Sequence, residues 1–129
     1  MYRIGYTVPQ EVQLADDLKK LPARFYRSET GTEPVREWLT SLPKADRRMI
    51  GVDIATVEYG WPVGMPTCRP LGRGLWEVRS SLPSKRISRV LFCVAHAHMV
   101  LLHGFIKKSQ RTPKSDIEIA RARQKEVEQ

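Results

Sequence analysis

Cysteine is scarce: only Cys68 and Cys93 occur in 129 residues. Two thiols cannot build a disulfide framework, and the expectation is that both stay reduced in a cytoplasmic chain. No apolar run approaches the roughly 20 residues that a membrane span needs. The opening "MYRIGYTVPQEVQLADDLKK" is mixed throughout, so no secretory leader is expected. No Walker, Rossmann or catalytic-triad pattern occurs, and no cofactor is expected. The most informative shortage is of acid. Between residues 69 and 115 a single acidic residue, Glu77, faces ten Lys and Arg.

The net charge of +8 is unevenly placed. Residues 1–68 hold 9 basic and 9 acidic residues, whereas residues 69–129 hold 13 and 5 and carry the entire excess. A one-sided charge of this kind concentrates anions at the surface and speeds association with polyanions. Nucleic acid is the expected partner class.

Residues 1–20 show no clear period and are read as an N-terminal extension, with one domain over 21–129. The alternation in "ARFYRSE", 23–29, predicts a first strand. In "TGTEPVREWLTSLP", Val35, Trp38, Leu39 and Leu42 recur at helical spacing. Thr32 is placed to cap, Pro34 suits the first turn and Pro43 stops the helix. A second helix is predicted from about Lys44 to Tyr59, with Ile50, Ile54 and Val57 on one face and Gly60 at its end. The Gly- and Pro-rich "GWPVGMPTCRPLGRG", 60–74, reads as a loop.

After it the period becomes two. "LWEVRS" alternates Trp76 and Val78 with Glu77 and Arg79, and "RISRVLFCVA" and "HMVLLHGFI" are apolar runs joined by the two residues "HA", a hairpin. Thr112-Pro113 is placed to cap a last, amphipathic and mostly solvated helix. The order strand, helix, helix, three strands, helix gives a small α+β fold with one antiparallel sheet.

The cations fall in telling places on that sheet. Trp76 and Val78 form the natural core face of their strand, which turns Glu77 and Arg79 the other way. Arg89 interrupts an apolar strand between Ile87 and Leu91, and Lys107 and Lys108 close the last one. Arg79, Arg89 and Lys107 are expected to line one concave surface, with Arg111 and Lys114 at its rim. Cations on a central sheet otherwise cost desolvation energy. Arg73, in the "GRG" of 72–74, is placed to approach a phosphate backbone. A phosphate is the natural ligand of clustered arginines, which offer it bidentate donors. RNA cleavage through the ribose 2′-hydroxyl is one chemistry such a surface could run, among several phosphate-binding functions.

"GLWEVRS", the following "RVLF" strand and above all "LLHGFIKKSQRTPKSDIEIARAR" resemble the HigB/RelE-type toxins of bacterial type II toxin–antitoxin modules. The likeness is greatest to the phage-derived branch of the RelE/ParE-family toxins, and it runs from about Leu21 to Lys125. The resemblance implies a RelE/ParE-like fold: an N-terminal helix pair packed on a curved antiparallel sheet, with a C-terminal helix. It implies a metal-independent, ribosome-dependent mRNA endonuclease that blocks translation, neutralised by a helix-turn-helix antitoxin. Arg79 in "WEVR" matches the arginine that holds the scissile phosphate in such toxins. Lys107 and Lys108 fall where relatives place a cation after the last strand, and Arg89 is carried over as a phosphate or RNA contact. Glu77 stands as a base or as an arginine's partner. No tyrosine or histidine follows His103, so the acid–base cluster that some relatives carry near the C-terminus is absent.

His103 shares strand parity with Lys107, which makes it a candidate proton donor. Cys93, His96 and His98 lie across a tight hairpin whose alternation scatters their side chains, so no metal site is expected. The three tryptophans are expected to pack rather than to bind. Two rival functions share these features: a ParE-like inhibitor of DNA gyrase, and a non-catalytic basic nucleic-acid-binding protein of phage origin.

Overall fold

The computed structural model describes residues 18–107 and 111–129. Lys108 and most of the 1–20 extension therefore lie outside the described residues, as does the side chain of Lys107. The elements are β1 (Ala23–Phe25), α1 (Pro34–Ser41), α2 (Lys44–Gly60), β2 (Cys68–Gly72), β3 (Leu75–Leu82), a 3-10 turn (Pro83–Lys85), β4 (Arg86–Ala95), β5 (His98–Lys107) and α3 (Lys114–Val127). The class is α+β, and the architecture is that expected of a RelE-like fold. Among the described residues no helix is long and apolar enough to cross a membrane.

The five strands form one sheet in the order β1-β5-β4-β3-β2. It is mixed, not purely antiparallel: β1 runs parallel to β5, pairing Ala23, Arg24 and Phe25 with Met99, Val100 and Leu101. The expected seven-residue first strand is cut to three because the chain turns at Ser28. There the Ser28 N–H donates to the Thr32 carbonyl at 2.8 Å, and the Thr32 N–H donates to the Ser28 hydroxyl at 3.1 Å. Thr32 is thus spent on the turn and does not cap α1, whose N-cap position is Glu33.

The predicted loop contains a further strand, β2, paired with β3 from Cys68 opposite Val78 to Gly72 opposite Leu75. Pro70 masked it in the sequence. A proline lacks the N–H that an interior strand needs, but it fits an edge, and β2 is an edge.

Helices cover both faces. On one, Val35 of α1 and Ile50, Ile54 and Val57 of α2 pack against Val78, Val90, Phe92, Met99 and Leu101. Trp61 and Trp76 meet edge to face at 4.9 Å, and Trp38 lies against Gly104. On the other face, Ala120 and Val127 of α3 pack against Leu75, Leu91, Cys93, Val100 and Leu102. The last helix is amphipathic and mostly solvated, as expected, with only Ala120, Gln124 and Val127 buried, and it covers the sheet with that narrow face. Its apolar residues are few because polar anchors supplement them: the Gln124 amide donates to the Arg73 carbonyl at 2.9 Å and the Arg123 guanidinium to the Leu102 carbonyl at 2.7 Å. Such bonds contribute about 1 kcal/mol each, against about 1.5–3 kcal/mol for a fully buried large apolar side chain.

Candidate nucleic-acid interface

Antiparallel pairing of β3 with β4 sets Glu77 opposite Leu91 and Arg79 opposite Arg89, on the sheet face shared with α3. On the other side of β3, Arg69 of β2 stands opposite Glu77. Alternation alone thus places three arginines and one carboxylate on adjacent strands.

Glu77 is 1% exposed and Arg89 6% exposed. The Glu77 Oε1 atom accepts from Arg89 Nη1 and forms an ion pair with Arg69 Nη2 at 2.8 Å. Its Oε2 atom accepts from the Thr112 hydroxyl at 2.9 Å. A buried charge is tolerated only when paired and hydrogen-bonded, and both oxygens of Glu77 meet that condition. Thr112 consequently does not cap α3. The N-cap position is Pro113, and the Asp116 and Ile117 N–H groups donate to its carbonyl.

Arg79 differs from its neighbours. It is half-buried, and among the described residues it has no ion pair; its backbone N–H donates to the Thr67 carbonyl at 2.8 Å. The Nε atoms of Arg69, Arg79 and Arg89 are all buried and lack a hydrogen-bond partner. With three guanidinium groups around one carboxylate, the cluster keeps a surplus of two positive charges. Burial, and then repulsion from Arg69, lowers the pKa of the Arg89 guanidinium below its ordinary value. A bound anion would offset both effects by its charge.

Met65, Pro66, Thr67, Arg69, Glu77, Arg79 and Arg89 enclose a cleft of about 40 Å³. That is room for roughly three water-sized groups at 10–15 Å³ each, about the oxygens of one phosphate.

Of the residues singled out in the sequence, Glu77, Arg79 and Arg89 meet in this cleft. Arg69 was missed because its strand read as loop; the Arg69–Glu77 pairing would have found it. Thr112 was read as a cap alone. Lys107 pairs through its backbone with Ile87, two residues from Arg89. Arg73 is not in the cleft: it lies exposed in the turn before β3, at φ 51°, with its carbonyl bonded to Gln124. Arg111 is exposed, and Lys114, also exposed, lies 3.9 Å from Glu118. Lys108 is outside the described residues.

His103 lies on the α3 face, with its Nε2 2.6 Å from Asp116 Oδ1 and its ring stacked on Phe105. His98 Nδ1 is 2.6 Å from the His96 carbonyl, and Cys93 is fully buried. Among the described residues, no group of three or more His, Cys, Asp or Glu is placed to hold a metal.

Residues 37–125 of the chain match the family described as Phage derived protein Gp49-like (DUF891). No curated protein matches the chain.

Proposed function

Since the chain belongs to the phage-derived Gp49-like family, a family typically of toxin–antitoxin type, we propose that it is the toxin of a type II module and a ribosome-dependent mRNA endonuclease. The single observation that carries this reading is the half-buried Arg79, which has no ion pair among the described residues and shares a cationic cleft with the paired Arg89 and Arg69.

In the proposed reaction the scissile phosphate enters the cleft and its oxygens meet Arg79. The ribose 2′-oxygen forms a bond to phosphorus as the bond to the 5′-oxygen breaks. One proton leaves the 2′-hydroxyl and one reaches the departing 5′-oxygen. Charge on the pentacoordinate phosphorus is stabilised by prearranged guanidinium groups, a contribution commonly worth several kcal/mol in water-excluded sites. Arg79 is the catalytic cation, with Lys107 as a second. Arg69 and Arg89 hold the field, and Glu77 is a positioning residue rather than the base, because both its oxygens already accept hydrogen bonds. His103 would act on a proton only after leaving Asp116. Among the described residues the acid–base set is incomplete, in accord with dependence on the ribosome, which would orient the 2′-hydroxyl. No metal is required. A helix-turn-helix antitoxin would be the partner that silences it.

The test is a purified translation reaction on a defined mRNA, with and without ribosomes, read by primer extension. Cleavage only on ribosomes, lost with Arg79→Ala and Lys107→Ala, is the expected result. Intact mRNA with the wild-type chain would overturn the endonuclease reading. Gyrase inhibition by that same preparation would favour the ParE-like alternative.

A further inference from the structure

Arginines that hold a phosphate read no sequence and accept any polyanion. What distinguishes this cleft is its lip. Met65 is 72% exposed and lines the same cleft as Arg69, Arg79 and Arg89, beside the exposed Pro66. Exposed apolar side chains are ordinary when scattered; this one stands at the mouth of the cationic cleft.

The lip is also tied down. The Thr67 carbonyl, next to Pro66, accepts from the Arg79 N–H at 2.8 Å, and the Cys68 N–H donates to the Gly64 carbonyl at 3.2 Å. Met65 is thereby held in register with Arg79. The cleft itself, at about 40 Å³, takes the oxygens of a phosphate but not a nucleotide. The rest of any nucleotide must lie on the rim, where Met65 and Pro66 are.

We propose that Met65 and Pro66 form a platform on which a nucleobase flanking the bound phosphate stacks, so that the cleft takes single-stranded polynucleotide in preference to duplex or to a bare polyanion. A thioether is polarizable and makes favourable contacts with aromatic rings. Any base offers a face to such a platform, but only when it has left the helical stack. The inference rests on the reading of the cleft as a phosphodiester site.

Fluorescence anisotropy on the full chain tests it with two ligands of equal charge: a labelled 2′-O-methyl hexauridylate, which cannot be cleaved, and the corresponding abasic hexamer. The wild-type chain is expected to bind the base-bearing ligand about tenfold more tightly. Met65→Ser, at an exposed position, is expected to remove that preference while leaving abasic affinity unchanged. Arg79→Gln is expected to weaken both ligands alike. Equal wild-type affinity for the two ligands overturns the platform and leaves the phosphodiester reading standing. A preference that survives in Met65→Ser overturns the platform as well. Failure to bind either ligand removes the phosphodiester reading and the platform with it.

Discussion

Arg79 and Arg89 stand directly opposite each other across the β3–β4 ladder, like charges where a stable sheet prefers opposite charges or an apolar pair. Only one of the two, Arg89, is neutralised by Glu77. Arrangements that cost stability and are kept regardless are typical of functional sites. Arg79→Met is therefore expected to stabilise the fold by about 0.2–1 kcal/mol while abolishing cleavage. Urea denaturation midpoints beside the translation assay check this. A destabilised Arg79→Met would mean that the arginine supports the fold.

Removing Glu77 should do the reverse. Glu77→Ala leaves Arg89 buried and uncompensated, with Arg69 unpaired beside it, at a cost of about 3–5 kcal/mol. Thr112 loses its acceptor in the same variant. Equilibrium unfolding in urea measures the loss, and a change below about 1 kcal/mol would show that water reaches the cluster freely.

Asp46 and Arg86 form a bidentate pair at 2.7 and 2.8 Å that joins the start of α2 to the start of β4. The hydrogen bonds from Arg86 lower the Asp46 pKa below its ordinary 3.8, against an opposing effect of burial. A depressed folded-state pKa means stabilisation that is complete above 3.8 and lost as pH falls through the folded value. Asp46→Asn should thus be less stable than the wild-type chain at neutral pH, and the gap should close in acid below that range. Thermal unfolding of both proteins across pH checks it; a gap independent of pH would assign the loss to packing.

Gly104 sits under Trp38, and a Cβ there would lie closer to Trp38 Cζ3 than van der Waals contact allows. No real contact is that short, so Gly104→Ala must push the indole away from the sheet. Overpacking of this kind costs about 1–3 kcal/mol. The expected readouts are a lower unfolding midpoint and a shifted tryptophan emission. Unchanged emission would mean that β5, not the indole, gives way.

Where periodicity was strong, the sequence was legible. The spacing of Ile50, Ile54 and Val57 gave α2, and the two residues between the apolar runs gave the β4–β5 hairpin. Arg79 and Arg89 could be set on one surface because strand alternation has few exceptions. Less legible were features that depend on distant partners. Pro70 hid β2, since whether a proline is tolerated depends on being at the sheet's edge. Parallel pairing of β1 with β5 depends on which strand the chain returns to. The cover provided by α3 was obscured because Gln124, a polar residue, is buried by a carbonyl it meets at Arg73. Arg69 went unnoticed with its strand.

Glu77, Arg79 and Arg89 all belong to one hairpin, β3–β4, whose strands follow each other directly in the chain. Bringing them together closes only a short loop, and the entropy of loop closure grows with the length enclosed. β1 meets β5 only after most of the chain has been traversed. Contacts close in sequence tend to form early and distant ones late. The charged heart of the cleft is thus assembled from contacts that are local in the chain. The parallel edge is expected to complete the sheet only after the arginines have met.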